Sequence, residues 1–340
     1  MLWLVGLGLG SKGCVTEEAW RAMKGADAVY LDTYTSFVEE ELLDAVRREV
    51  GDRLVMADRR ALEDRSRELV SRGATEDVVV AVPGDPLMAT THSSLIVEAA
   101  RSGVPWKVVH GVSIFSAAVS RAGLSPYKFG RTVTVPRDAE EDVLRGTWRT
   151  IAVNSASGLH TMLLLDTAGG GLTAGEASEM LLGSGARAEV DEALRDPLVV
   201  YCARVGMRGE RVGAARLSSL TSIDLPPPPH VLLVPSRLGP GERDFARHVL
   251  KSDDEPATVR SPVHVRAARY VAKARSALSR LEVLVDSEEV RRALDHAADY
   301  VSDAESFLNS GREEDALVAV SYAEGILDAL RLLGAVRFEW

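Results

Sequence analysis

The sequence predicts an α/β protein with two lobes and an all-helical C-terminal module, and three observations support this class. Short apolar runs alternate with helical patterns over residues 1–110, which is typical of a parallel sheet covered by helices. Farther along the chain, strands follow one another at shorter spacing, which favours a mixed, partly antiparallel sheet. From about residue 263 the periodicity is purely helical and predicts a three-helix bundle.

The parallel lobe is predicted to occupy residues 1–108. Its strands are apolar runs that end in glycines or turns, at residues 2–7, 26–32, 77–82 and 106–110. One helix is predicted to begin near Thr16, and further helices are predicted over residues 38–50, 61–72 and 91–102. Thr16 is a suitable N-cap, because the two glutamates after it favour the positive end of the helix dipole.

The second lobe is predicted over residues 109–250, with a hinge near residues 103–112. Its strands are expected at residues 131–135, 160–166, 198–203, 211–217 and 231–234. Its helices are expected at residues 139–148, 173–183 and 242–250. The prolines at 226–229 must be extended, since proline removes a backbone donor and clashes inside a helix.

A polar segment with two prolines, residues 251–262, is predicted to be a linker to a helical bundle over residues 263–340. Along the first helix of the bundle, apolar residues recur at helical spacing on one stripe: Val263, Ala267, Tyr270, Val271, Ala274, Ala277, Leu278 and Leu281. Further helices are predicted at 287–309 and 313–332, separated by the turn Ser310-Gly311. The bundle carries no catalytic constellation, so it either stabilises the chain or presents a surface to a partner.

Composition and charge argue against several classes of protein. The 340 residues carry a net charge of −10, which argues against a general affinity for nucleic acid. No stretch approaches the roughly 18 apolar residues needed to span a bilayer, so we expect a cytoplasmic protein without a membrane partner. Cys14 and Cys202 stand far apart, as expected of reduced thiols in a cytosolic protein. The seven histidines show no metal-ligand spacing, so no metal site is expected.

The glycines of Gly6-Leu7-Gly8-Leu9-Gly10 follow the first strand and allow the backbone to approach a ligand closely. They depart from the pattern of a dinucleotide-binding turn, which needs G-x-G-x-x-G opening directly into a helix, so that interpretation is disfavoured. Position 11 is Ser, and the helix is predicted to begin about five residues later. We therefore expect only a crevice at the carboxyl end of this strand, where α/β sheets bind ligands.

The string Pro83-Gly-Asp-Pro-Leu-Met-Ala-Thr-Thr-His92 ends the third strand in a rigid turn that bears one carboxylate, Asp85. The turn can present Asp85 to a ribose diol or an amine, or it can be an ordinary connection that Asp85 caps. Two shorter segments leave similar alternatives. Ser113 either meets a ligand or caps a helix. His230 is either a ligand contact or a satisfied core histidine.

Together these segments resemble the diphthine synthase branch of the tetrapyrrole-methylase-like, class III methyltransferases. Matching strings occur in family order over about residues 1–250: Leu4-Val-Gly-Leu-Gly-Leu9, Asp32-Thr-Tyr-Thr-Ser36, Pro83 to His92, Ser113-Ile-Phe-Ser-Ala117, Tyr127-Lys-Phe-Gly130, Gly158-Leu-His-Thr161, Ala203-Arg-Val-Gly206 and Pro228-Pro-His-Val-Leu232. The G-D-P-x-x-A-T-T-H and Y-K-F-G strings are specific to this branch, whereas G-D-P alone marks the wider superfamily. The C-terminal bundle is absent from typical members and resembles a small archaeal helical domain of unknown function.

The resemblance implies two α/β domains, usually in a homodimer, with S-adenosylmethionine in the cleft between them and S-adenosylhomocysteine as the product. It implies that eight residues touch the cofactor: Leu9, Asp85, Met88, Ser113, Ile114, Leu165, Val205 and His230. Met88 stands where the family often has a smaller, branched residue and Val205 where it commonly has Ala, so the pocket is expected to be reshaped there. The family reaction repeatedly methylates the amine of a 3-amino-3-carboxypropyl histidine in translation elongation factor 2, a step of archaeal diphthamide biosynthesis.

Methyl transfer from a sulfonium depends on alignment and on exclusion of water. The attacking amine must first lose a proton, but the sequence assigns no residue to the role of base. We hypothesise that Asp85 orients the cofactor and takes no proton. Two alternatives remain open, a corrin-ring methylase of the same superfamily and a methylase-like binding protein without activity. The Y-K-F-G string favours a protein substrate.

Overall fold

The computed structural model describes residues 1–256 and 259–340, without the side chains of residues 188 and 189. The predicted linker, 251–262, includes residues 257 and 258, which lie outside the described residues. The described chain divides into two compact units. Residues 1–187 and 196–256 belong to the first unit, and residues 188–195 and 259–340 belong to the second.

The first unit begins with a five-stranded parallel sheet of order β3-β2-β4-β1-β5. The strands are β1 (Leu2–Gly6), β2 (Ala28–Asp32), β3 (Leu54–Ala57), β4 (Val78–Val82) and β5 (Trp106–Val109). The connecting helices are α1 (Glu17–Gly25), α2 (Glu40–Val50), α3 (Ser66–Arg72) and α4 (Ser93–Arg101). Thr16 caps α1 as predicted, because its Oγ1 accepts a hydrogen bond from Ala19 N at 3.1 Å.

Strand β4 runs through the middle of this sheet and is buried on both faces. Val78 and Val80 pack into one apolar cluster with Leu2 and Leu4, and Val79 packs into another on the opposite face. A continuous apolar run is the pattern of a doubly covered parallel strand. The sheet is therefore a rigid base whose strand ends hold the following loops in place.

A second sheet, of order β6-β7-β10-β8-β9, is mixed as predicted. Its strands are β6 (Val133–Val135), β7 (Thr161–Leu165), β8 (Leu198–Ala203), β9 (Arg211–Arg216) and β10 (His230–Val234). Only the β6–β7 pair is parallel among the pairings of this sheet. The helices are α5 (Ile114–Arg121), α6 (Glu141–Ala156), α7 (Ala174–Gly183) and α8 (Pro240–His248).

Three features of the first unit differ from the sequence prediction. Strand β3 was not predicted, because it is a four-residue edge strand with exposed Val55 and Met56. The helix predicted over 61–72 is divided into a π-turn, Arg60–Asp64, and α3. Helix α6 continues to Ala156, well beyond the predicted end at residue 148. Buried polar residues such as Asn154 interrupt its apolar pattern, so periodicity alone ends too early.

The second unit contains three helices, α9 (Pro262–Arg280), α10 (Glu288–Asn309) and α11 (Glu313–Leu332), as predicted. A short antiparallel pair that was not predicted, β11 (Glu282–Val283) and β12 (Val336–Arg337), joins the segment after α9 to the segment after α11. Alanines fill much of the helical core: Ala267, Ala274, Ala304, Ala316, Ala319 and Ala323. The turn between α10 and α11 has Ser310 at the C-cap and Gly311 at a φ of +75°. In the described ranges, no helix combines the length and apolarity needed to cross a membrane.

Candidate active site

A cavity of about 550 Å³ lies between the two sheets of the first unit. Loops that follow the carboxyl ends of β1 to β5 form one side of it. Residues of β6, β7, β8 and β10, with the loops after β7 and β8 and Pro229 before β10, form the other. Ligand sites in proteins typically enclose roughly 300–1,000 Å³ and favour the carboxyl ends of parallel strands. The position and size both suit a small organic cofactor.

Three glycines bring the backbone together at the floor of this region. Gly8 and Gly84 exchange backbone hydrogen bonds of 3.1 and 2.6 Å. A Cβ added to Gly111 would lie 2.3 Å from Gly84 O and 2.8 Å from Gly8 N, a distance that real side chains do not tolerate. Gly8 and Gly84 also adopt φ values of +68° and +82°, which favour glycine. The glycine strings therefore serve close packing of three loops, with no dinucleotide-binding turn.

Asp85 follows this junction and is nearly buried at 7% exposure. Its Oδ1 accepts a hydrogen bond from Leu87 N at 3.0 Å, and its Oδ2 lies 2.8 Å from His110 Nδ1. The hydrogen bond from Leu87 N makes Asp85 the turn cap that the sequence offered as one alternative. Asp85 also lines the cavity. Fixed at both oxygens, the carboxylate is pre-positioned to orient a bound ligand.

The structure brings all eight predicted cofactor residues to the wall of this one cavity: Leu9, Asp85, Met88, Ser113, Ile114, Leu165, Val205 and His230. Met88 lines the cavity and is also 45% exposed to solvent. Gly206 packs directly against Leu9, since a Cβ there would approach Leu9 Cδ1 to 2.6 Å. Segments that are far apart in sequence thus converge on one wall.

Ser113 and His230 each line the cavity and also fill the structural role that the sequence offered as one alternative. Ser113 is the N-cap of α5, and its Oγ accepts a hydrogen bond from Phe115 N at 3.3 Å. His230 Nδ1 accepts from Ala174 N at 3.0 Å, and its Nε2 donates to Pro226 O at 2.7 Å. Burial lowers the His230 pKa, so the ring is neutral at pH 7.

Asp32, which ends β2, is fully buried behind the cavity wall. Its Oδ1 accepts from the backbone of Tyr34 and Thr35, and His92 Nε2 lies 3.3 Å from its Oδ2. Burial alone would raise the Asp32 pKa, but these hydrogen bonds outweigh it and the net shift is downward. Asp32 therefore holds the loop after β2 in shape and is not a ribose ligand.

A polar group on the β2–β3 side of the cavity was not predicted from the sequence. Glu63 Oε1 accepts hydrogen bonds from Tyr34 Oη at 3.2 Å and from Thr91 Oγ1 at 2.8 Å. The Arg59 guanidinium stacks over the Tyr34 ring at 5.2 Å from its centroid. Burial raises the Tyr34 pKa, and the carboxylates of Asp32 and Glu63 raise it further. Charged residues just after a strand are the sequence signal that indicates such a group. Arg59 and Glu63 were not recognised by it, because β3 was not predicted.

The Y-K-F-G string does not line the cavity. Lys128 Nζ donates to Glu242 Oε2 at 2.6 Å, and the Phe129 ring packs edge-on against His160. Gly130 leaves room for Asn154, whose Oδ1 would lie 2.2 Å from an added Cβ. Tyr127 alone is freely accessible, at 94% exposure. Three of the four residues thus support packing of the second sheet.

Comparison with known proteins decides the family. Residues 1–221 match the family of Tetrapyrrole (Corrin/Porphyrin) Methylases. A diphthine synthase of Staphylothermus marinus is 37% identical over 257 residues, which is 73% of this chain and 93% of that protein. A diphthine synthase of Methanothermobacter thermautotrophicus is 33% identical over 72% of this chain and 94% of its own length. The chain belongs to the diphthine synthase family.

The diphthine synthase fold accounts for the first unit. A crystal structure of a diphthine synthase, 34% identical, covers 74% of this chain and 96% of its own with a TM-score of 0.66. Membership in the diphthine synthase family makes the chain a methyltransferase. Residues 269–336 match a separate family described as Protein of unknown function (DUF357), which corresponds to the additional helical module.

A methyl donor fits the cavity on the chemistry of its walls. Apolar side chains, among them Leu9, Ile114 and Leu165, surround a few convergent polar groups. The glycine junction keeps the floor free of side chains, so a ligand can approach backbone there. Asp85 supplies one buried carboxylate for a cationic or hydroxyl-bearing ligand.

Proposed function

We propose that the chain uses S-adenosylmethionine to methylate, repeatedly, the amine of the 3-amino-3-carboxypropyl histidine of translation elongation factor 2. The observation that supports this most is the convergence of eight expected cofactor residues, spread from Leu9 to His230, on one cavity. The match to the family of Tetrapyrrole (Corrin/Porphyrin) Methylases, over residues 1–221, includes seven of the eight, all except His230. S-adenosylhomocysteine is the expected product.

When bound, S-adenosylmethionine supplies a methyl carbon on a cationic sulfur: one N–C bond forms, one S–C bond breaks, sulfur keeps the electron pair, and the amine gives up a proton. The residues of the chain orient the cofactor and exclude water during this methyl transfer. Asp85, fixed by Leu87 N and His110 Nδ1, orients the cofactor. Leu9, Ile114 and the other apolar wall residues exclude water, so that alignment of the reactants lowers the barrier.

Two alternative functions remain to be separated from this one. A corrin-ring methylase would accept a large acidic macrocycle, and a binding protein without activity would transfer no methyl group. The test incubates the chain with methyl-labelled S-adenosylmethionine and either a precorrin or elongation factor 2 carrying the unmethylated intermediate. We expect label in elongation factor 2 alone. Label in the precorrin would assign the corrin reaction, and no label in either would leave the binding protein.

We also propose a functional division into lobes of residues 1–108 and 109–250, a linker at 251–262 and the bundle at 263–340. A homodimer in the cytoplasm, acting on protein and not on nucleic acid, is the assembly that the family resemblance supports. Light scattering on the purified chain tests the dimer, and a monomer at micromolar concentration would contradict it.

A further inference from the structure

The turn after β3 places one cation and one anion of the first unit side by side at the cavity. Asp58 Oδ1 accepts a hydrogen bond from Ala61 N at 2.9 Å and so caps this turn, and Leu62, 1% exposed, anchors it in the core. Arg59 and Glu63 lie four residues apart on it and both line the cavity. A π-turn of this kind is frequent at functional sites.

Arg59 is the only Arg or Lys among the described residues that line the cavity. Its Nε lies 3.7 Å from Glu63 Oε1, and its terminal nitrogens have no hydrogen-bond partner in the described chain. The Tyr34 ring lies beneath the guanidinium, with its centroid 5.2 Å from Arg59 Cζ, a distance that suits a cation–π contact. A guanidinium held in this way is ready to bind a carboxylate through two parallel hydrogen bonds.

The cavity offers three carboxylates, and among the described residues only Glu63 has an oxygen with no hydrogen-bond partner at all. Both oxygens of Asp85 already have partners, and both oxygens of Asp166 accept backbone hydrogen bonds. Glu63 accepts two bonds at Oε1, while its Oε2 has no partner within residues 1–256 and 259–340. Glu63 can therefore bind an ammonium group.

Arg59 and Glu63 are both more exposed than Asp85, the carboxylate expected to contact the cofactor. The side chain of Arg59 is 71% exposed and that of Glu63 is 30%, against 8% for Asp85. The pair thus lies at the rim, where a side chain carried by another protein would enter. None of the eight expected cofactor residues lies on the loops after β2 and β3.

We propose that Arg59 and Glu63 form the acceptor subsite, in which Arg59 binds the carboxylate and Glu63 the ammonium of the amino-carboxyl head. The assignment rests on the proposed function and names where its substrate is recognised. Each methylation removes an N–H donor from the amine, but the positive charge persists on the product. Glu63 attracts the head by charge at every stage, so one subsite can serve repeated transfers.

The test compares Arg59→Met and Glu63→Gln with matched controls on the same turn, Arg60→Met and Asp64→Asn, which alter exposed residues outside the cavity. Binding is measured with saturating S-adenosylhomocysteine, using elongation factor 2 with and without the 3-amino-3-carboxypropyl group. We expect both cavity variants to bind the modified factor about tenfold or more weakly. The controls should match the wild type, and calorimetry should show unchanged S-adenosylmethionine affinity for all four variants.

Two results would overturn the subsite. In the first, the cavity variants keep the same preference as the control variants for elongation factor 2 that carries the 3-amino-3-carboxypropyl group. That result would show that Arg59 and Glu63 do not recognise the acceptor. Variants that instead lose S-adenosylmethionine affinity would assign the pair to the donor. A wild-type chain that binds S-adenosylmethionine but does not distinguish the two forms would contradict the proposed function itself, and the subsite with it.

Discussion

At the scale of single residues, Asp85 has the most specific expected role. Its two fixed oxygens suit orientation of the cofactor and leave it poorly placed to carry protons. We predict that Asp85→Asn weakens S-adenosylmethionine binding by about tenfold, because a charge-assisted hydrogen bond is replaced by a neutral one. Calorimetry measures the affinity, with Asp64→Asn as control. Reduced turnover with intact affinity would show that the assignment is wrong.

Glu242 links the Y-K-F-G string to the stability of the second sheet. Burial alone would raise its pKa, but hydrogen bonds lower it to about 2. The donors are Gly239 N, Lys128 Nζ, Ser125 N and His160 Nε2. Because the folded pKa lies below the ordinary 4.5, the stabilisation is complete above pH 4.5 and is lost as the pH falls towards 2.

Replacing Glu242 by Gln should therefore cost on the order of 3 kcal/mol at pH 7 and progressively less between pH 4.5 and 2. Urea denaturation across this range measures the difference from the wild type. Glu179→Gln, at an exposed position of α7, is the control and should change little. A cost that does not depend on pH would contradict the assigned pKa.

At the scale of elements, the helices of the bundle approach closely because alanine fills their shared core. Ala274 on α9 is fully buried, whereas Ala272 on the same helix is exposed. We predict that Ala274→Leu destabilises the bundle by about 1–3 kcal/mol through overpacking, and that Ala272→Leu does not. Thermal unfolding followed by circular dichroism compares the two. Equal melting curves would place the helix–helix contact elsewhere.

Elements with a strong period were predictable and those with mixed patterns were not. Strand β4 is an unbroken apolar run, and α11 follows the turn Ser310-Gly311 that the sequence marks, so both are correct from pattern alone. Strand β3 fails because a short edge strand exposes half of its residues. That omission also hid Arg59 and Glu63, since the carboxyl end of an unpredicted strand cannot be searched for ligand groups. The eight residues taken from family strings depend on no such boundary, and all reach the cavity.

At the scale of the whole molecule, one compact unit contains both five-stranded sheets, and the other contains the helical module together with residues 188–195. About three-quarters of this chain matches the diphthine synthase relatives, and that match covers more than nine-tenths of each relative. We therefore predict that the chain shortened to residues 1–256 folds and retains methyl transfer to elongation factor 2 within about twofold of the full chain. The labelled-methyl assay compares the two. Loss of activity in a folded, shortened chain would make the bundle part of the catalytic machinery.

The most direct test of the central claim is calorimetric titration of the full-length chain with S-adenosylmethionine. The cavity between the two sheets, walled by Asp85, Ser113 and His230, predicts saturable binding of one molecule per chain. Binding should also raise the midpoint of thermal unfolding, because a ligand that prefers the folded state stabilises it. Neither heat of binding nor any thermal shift at millimolar ligand would contradict the assignment of this cavity to a methyl donor.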